Sequence, residues 1–169
     1  MESPTISQII RTYFEDISQW AREQGGTPFL ARDPAEPYEL IAGMGPNDFR
    51  VVLNWAGDKE FGGNILQHLD KHSIEVWIGR ARGLEADPNR SLVYPDGQKV
   101  ALLDLAESCK QRMLGLKFPA EVTKKYTVYV GTDPVTTPDG ISMAAYKLSF
   151  TLDVAGRAVT YRQVESFNA

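Results

Sequence analysis

Cysteine is nearly missing from this 169-residue chain. The single Cys109 excludes an intramolecular disulfide framework and fits synthesis in a reducing compartment. Histidine is almost as scarce: His68 and His72 are the only two, so any imidazole-based metal or proton chemistry must pass through that pair. No stretch approaches the ~18 consecutive apolar residues that a membrane-spanning helix needs. The first residues carry Glu2 and Glu15 among spaced apolar positions, unlike a signal peptide, so the reading is a soluble protein made in the cytoplasm without membrane partners. A basic excess is also lacking. Eighteen Lys and Arg stand against 22 Asp and Glu, giving a net charge of −4 and a pI near 5.2, which disfavours a general nucleic-acid binder and leaves only a local basic patch.

What is present is an ordinary globular balance. Hydrophobic residues make up 43% and charged residues 24%, which excludes wholesale disorder and collagen-like repeats. The length fits one domain able to bury roughly 70% of its unfolded surface without a structural metal.

The apolar residues Ile6, Ile9, Ile10, Tyr13, Phe14, Ile17, Trp20 and Ala21 recur at steps of three and four, which predicts an amphipathic helix over residues 5–22. Ser3 and Pro4 supply its start signals, and Gly25-Gly26 its end. Residues 27–46 then hold four of the ten prolines. A strand over residues 38–42 is expected there, the rest being an arm or a surface-hugging loop. Phe49, Val51, Leu53 and Trp55 alternate with Arg50, Val52 and Asn54, as in a strand with one wet face. Ile74, Val76 and Ile78 repeat the pattern against Glu75, Trp77 and Arg80. Between these strands, a glycine-rich link over residues 57–63 and a helical turn around residues 65–69 are expected.

Residues 83–99 form a second irregular stretch ending in the turn Tyr94-Pro95-Asp96-Gly97. A second helix is predicted over residues 98–114, with Leu102, Leu105, Ala106, Cys109 and Met113 on one face. Tyr126, Val128 and Val130 then mark one strand. Ala144, Tyr146, Leu148, Phe150, Leu152 and Val154 mark its antiparallel partner across the turn Thr137-Pro138-Asp139-Gly140. A short last strand over residues 158–162 opens a C-terminal extension of residues 156–169. The order predicts a single α+β domain: a mixed, mostly antiparallel sheet with two helices packed on one face.

Chemistry-bearing patterns are few. On a helix, His68 and His72 would share a face and could hold zinc, but Leu69 stands where a metalloprotease needs glutamate. The plainer reading is two solvated histidines on a connecting turn. Cys109 lies on an apolar helix face, unlike the electropositive setting of a nucleophilic thiol. No GxGxxG, GxxxxGK[ST] or GxSxG motif occurs. The expectation is therefore no catalytic residue, no metal and no cofactor. Arg80 and Arg82, with Arg90 and Lys99, form a modest basic cluster at one strand end. Trp77 and Tyr129 fall on nominally wet strand faces, which implies a second buried surface, either a covering helix or a subunit contact.

The arrangement resembles the tail terminator (tail completion) proteins of long-tailed bacteriophages. The resemblance rests on the first helix, the strands Arg50-Val51-Val52-Leu53 and Ile74-Glu75-Val76-Trp77-Ile78, the middle helix from Leu102 to Met113, and the closing strand around Tyr146–Leu152. It implies a structural, non-enzymatic virion protein that forms a homo-oligomeric ring, typically hexameric, capping the head-proximal end of the tail tube. Its partners would be the tail tube protein and a head completion or connector protein. Trp77, Tyr129, Arg80 and Arg82 are the expected interface residues, the arginines meeting acidic groups of a neighbour or DNA in the lumen. Residues 27–46 and the segment after Ala155 depart from the minimal pattern. The alternatives are another head–tail connector or minor tail protein, or an α+β domain outside phages that binds a ligand or a protein.

Overall fold

A computed structural model of the chain describes residues 5–45, 48–64, 67–81, 100–118, 127–135, 143–155 and 162. Helix α1 spans Ile6–Glu23. Its start is set by Thr5, whose hydroxyl accepts from the Gln8 N–H while the Gln8 side chain accepts from the Thr5 N–H at 2.7 Å, a reciprocal capping box. The expected start signals Ser3 and Pro4 lie outside the described residues. The helix ends where Gly25 turns to φ +77°. There the Gly26 N–H reaches Ala21 O at 2.7 Å and the Gly25 N–H reaches Arg22 O at 3.0 Å, the paired bonds of a Schellman motif. A Cβ on Gly26 would sit 2.6 Å from the Phe49 ring.

Five strands form one sheet in the order β1-β2-β3-β5-β4: β1 Thr27–Leu30, β2 Phe49–Asn64, β3 Gln67–Ala81, β4 Val128–Pro134 and β5 Met143–Ala155. Only β1 and β2 run parallel; every other neighbouring pair is antiparallel. Helices α2 (Glu36–Ala42) and α3 (Leu102–Gly115) complete the described elements. The fold is α+β, with a mixed, mostly antiparallel sheet and helices packed against it.

The sheet is covered on both faces. Val51, Leu53, Ile74, Val76, Ile78, Leu148 and Phe150 form one core with Ile9, Tyr13 and Ile17 of α1 and with Leu102, Leu105, Cys109 and Met113 of α3. Trp20 Nε1 donates to Ser108 Oγ at 2.9 Å, and Arg112 makes a two-pronged contact with Asp16 at 3.0 Å for each bond, so α1 and α3 are tied to each other as well as to the sheet. On the opposite face Ile41 of α2 packs on Val52 and Ala145, joined by Phe29, Met44 and Trp77.

Several expectations need correction. Residues 38–42 lie in helix α2, and the strand of the 27–46 segment is β1. Asp33 Oδ1 accepts from the N–H groups of Ala35 and Glu36 at 2.9 and 3.0 Å, and Pro37 stands in the first turn. These are helix-start features, and apolar alternation over five residues is too short to outweigh them. Among the described residues there are three helices where a two-helix layer was expected, with α2 on the second face. The link at 57–63 is instead part of β2, and residues 67–69 of the expected helical turn are part of β3, where Gly63 pairs with His68 and Gly62 with Leu69; residues 65 and 66 lie outside the described residues. In β4, Tyr129 turns inward against Phe150 at a 5.8 Å ring separation, while Val128 and Val130 are exposed. A register shift between Tyr129 and Gly131 separates the strand's face from simple alternation. Helix α3 presents the predicted buried face. The irregular stretch at 83–99 and the last strand's residues 158–161 lie outside the described residues, as does Tyr126.

Two predictions follow from the α1 packing. Ile17 is fully buried, whereas Phe14 is half-buried on the flank of the stripe. Ile17→Ala should cost about 2–5 kcal/mol and Phe14→Ala distinctly less, as read by chemical denaturation; a reversed order would mean that the helix is rotated. Tyr13 is also fully enclosed, and its hydroxyl meets Thr127 Oγ1 at 2.5 Å. Burial, opposed by that bond, pushes its phenol up to about 12. The folded chain therefore holds this proton more tightly than the unfolded one, whose phenol titrates near ~10. Stability is full below that pH and declines as pH rises toward the folded value. Tyr13→Phe should make this decline shallower without abolishing it, because burial also pushes the Cys109 thiol and the Tyr146 phenol up. An unaltered alkaline slope would contradict the assignment.

Candidate functional site

The described residues that could do something beyond holding the fold gather where β2 outruns β1. Trp55 pairs with Ile74, and Asp58 pairs with His72. Two residues of β2, Ala56 and Gly57, therefore oppose the single Ser73 of β3. Gly57 takes φ +100°, a conformation that glycine adopts without the Cβ penalty. This bulge resets the alternation, so Trp55 and Asp58, three apart in sequence, fall on the same face.

Above the bulge, carboxylate oxygens of Asp58 and Asp70 and a ring nitrogen of His72 lie within 4.8 Å of one another. His72 is buried, Asp70 half-buried and Asp58 exposed. By composition these are metal ligands. The hydrogen bonding says otherwise: Trp55 Nε1 donates to His72 Nδ1 at 3.1 Å. An indole N–H can only donate, so Nδ1 must carry its lone pair, and in the neutral ring the proton sits on Nε2. Neither nitrogen is then a ready ligand, since a ligating histidine normally uses one nitrogen and donates an N–H from the other. The helical premise for the histidine pair also fails. His68 and His72 both lie on strand β3, where four residues span about 13 Å, too far to share one ion.

Below the bulge lies an apolar groove of about 450 Å3, lined by Ile6, Ile10 and Phe14 of α1, Leu30 at the end of β1, and Trp55, with Ser7 and Arg11 at its rim. Leu30 and Trp55 are 42% and 44% exposed, so two large apolar side chains face solvent side by side. A cleft of about 580 Å3 continues round the end of β1, past Ala31 and Pro34, to Asn54 and Trp77. Sequence alternation placed Trp55 with the core residues Val51 and Leu53. It is on their face, but its side chain helps wall the groove beside α1 and remains largely uncovered. The Ala56-Gly57 bulge was the available signal that this strand changes character there.

The four expected interface residues are not brought together. Trp77 is half-buried in the α2 cluster; its Nε1 donates to Glu75 Oε2 at 3.0 Å, and the same oxygen accepts from Asn54 at 3.1 Å. The covering-helix reading thus applies to Trp77, which also reaches the cleft. Tyr129 points into the core, with its hydroxyl 2.6 Å from Thr132 Oγ1 and Lys110 Nζ 4.5 Å above its ring. Arg80 shares the parity of Ile74, Val76 and Ile78 and is buried, against the expectation that it lies on the opposite face. It donates to Val100 O at 2.6 Å and stacks 5.7 Å from the Phe49 ring. Arg82, Arg90 and Lys99 lie outside the described residues. Burial also pushes the Cys109 thiol up, away from the thiolate that nucleophilic chemistry needs.

No protein-family model matches the chain, and no curated protein aligns with it significantly.

The Trp55–His72 bond makes a direct prediction. Trp55→Phe removes the indole N–H and frees Nδ1, so that variant should take up Zn2+ more tightly than the unaltered protein in competition with a chelating dye. Equal or weaker uptake would show that Trp55 does not guard the ligand atom.

Proposed function

We propose that this chain is a structural assembly subunit that works through protein contacts, and that it caps the tail tube of a long-tailed bacteriophage as a ring, hexameric in the related pattern, at the joint between tail and head. The observation that carries the reading is the exposed apolar groove of Leu30 and Trp55 at an edge of a sheet already covered on both faces. Solvent-facing aromatic and aliphatic side chains beside a rigid strand edge are features of a docking surface. The first helix, the long antiparallel pair β2–β3, helix α3 and the closing pair β4–β5 support the resemblance to tail terminator proteins, with β1 and α2 standing between the first two.

In this reading the chain has no catalytic role and no cofactor. Its partners are neighbouring copies, the tail tube protein and a head completion or connector protein, and it resides in the virion. Trp77, through the cleft it lines, is the member of the expected interface set with a surface position; Arg82 keeps its proposed role toward an acidic neighbour or DNA in the lumen.

A second reading draws on the groove itself. Its volume lies within the range of small-molecule pockets, and its apolar lining would suit a hydrophobic ligand. The two readings separate on genetics. Deleting the gene from the phage that carries it should leave heads and tails unjoined, with the chain itself detectable in intact parental particles. Normal joined particles from the deletion would overturn the structural reading.

A further inference from the structure

We propose that the open edge of β2 beside the Trp55 groove receives strand β4 of a second copy, giving a head-to-tail contact in which one sheet continues into the next. The inference rests on the ring reading for its closure, and the contact itself rests on the two ends of the sheet.

At one end, β1 covers β2 only from Arg50 to Leu53. The Ala31 N–H to Leu53 O bond, at 2.9 Å, follows just beyond. With Leu53 directing its backbone groups at β1, alternation directs the N–H and C=O of Trp55 the same way, and among the described residues no strand meets them. β1 itself is a blunt edge. Leu30 shares the parity of Pro28, opposite to Ala31, so Pro28 faces outward and has no N–H to offer. An added strand therefore finds its bonding groups on β2, past β1, next to the groove.

At the other end, the outer edge of β4 has no described strand beside it, and Val128 and Val130 are 48% and 62% exposed. β4 carries no lysine; Val135 directs its N–H at Ala145 O, so Pro134 faces outward and closes the end of this edge, and the exposed valines lie on the run ahead of it. The six residues from Val128 to Asp133 are fewer than the ten that β2 extends from Trp55 to Asn64. The charges agree as well. Arg11 rims the groove, exposed Asp133 lies on β4, and neither forms an ion pair among the described residues. Strand addition supplies backbone hydrogen bonds with side-chain pockets for selectivity. Because the two edges differ, the contact is heterologous and propagates or closes into a ring.

Cysteine cross-linking tests this. In an Ala56→Cys/Val130→Cys chain the two sites are three strand spacings apart, about 14 Å, well beyond the ~7 Å Cα limit for a disulfide, so a bond between them must join two copies. Buried Cys109 does not compete. Mild oxidation of the concentrated, folded protein should give a ladder of multimers on non-reducing gels, and Trp55→Glu in the same chain should suppress it while leaving the circular dichroism spectrum unchanged. Mixed single-cysteine variants, Ala56→Cys with Val130→Cys, should give dimers and nothing larger. Dimers only between like cysteines would overturn the head-to-tail geometry in favour of an isologous one. No cross-link at all would overturn the contact. Parallel detection of the chain in purified virions separates the two levels: presence without a ladder retires the edge contact and keeps the ring reading, whereas a ladder without virion copies retires the ring reading and keeps the contact.

Discussion

The register of β2 against β3 is the constraint on which the rest depends. Thirteen paired positions run from Phe49–Arg80 to Asn64–Gln67, and the Ala56-Gly57 bulge divides them into two functional halves. On the core side of the bulge, alternation puts Val51, Leu53, Ile74, Val76 and Ile78 under α1 and α3. Beyond it, the same parity, reset by one extra residue, turns Asp58 and His72 to that face. A slip of one residue would exchange every one of these side chains with its neighbour on the other face. With both faces apolar around Val51–Val52, such a slip would still bury hydrophobic groups, so hydrophobicity alone does not fix the register here. The glycine at φ +100° adds a positional marker that a uniform alternation lacks.

Much of the fold was legible because its signals were long and periodic. The α1 stripe, the α3 face from Leu102 to Met113 and the thirteen-residue β5 each repeat their period several times. Failures cluster where signals were short or where two faces were both buried. Five residues from Tyr38 to Ala42 cannot separate a strand from a helix by period, and the deciding cues were the Asp33 side chain and Pro37. Val52 reads as an apolar residue on a wet face as long as the segment that covers it, α2, is taken for a strand. In β4 the alternation was found, but which half faced inward was set by Phe150 and Thr132 meeting Tyr129, partners that only the folded chain identifies. The Asp58, Asp70 and His72 cluster was illegible for the same reason, since cross-strand pairing brings together residues that sequence spacing keeps apart.

The cluster also shows why ligand inventory and ligand competence differ. Two carboxylates and an imidazole within 4.8 Å have the composition of a cation site, yet the single Trp55 hydrogen bond assigns the lone pair of Nδ1 to an indole donor. The contact makes better sense as part of the groove. It fixes the indole plane at a largely exposed position, and an aromatic ring held in one orientation loses less freedom when a partner covers it. His72 thus acts as a positioning residue for an exposed tryptophan.

That role links the two ends of the sheet. Edge strands are hazards unless blunted or covered, and this chain treats its edges differently. β1 carries Pro28 at an outward-facing position, a device that refuses a partner, and it stops at Leu30, leaving the β2 backbone open beside an oriented aromatic ring. β4 bears two exposed valines, an aspartate with no ion pair among the described residues, and an outward-facing proline of its own, Pro134, at its far end. The opening past β1 beside Trp55 and the exposed valines ahead of Pro134 are two different surfaces, and joining one to the other favours one direction of addition over side-by-side pairing of like edges. In the proposed contact that difference makes growth head-to-tail, and the bend between successive copies would decide whether the sheet closes on itself.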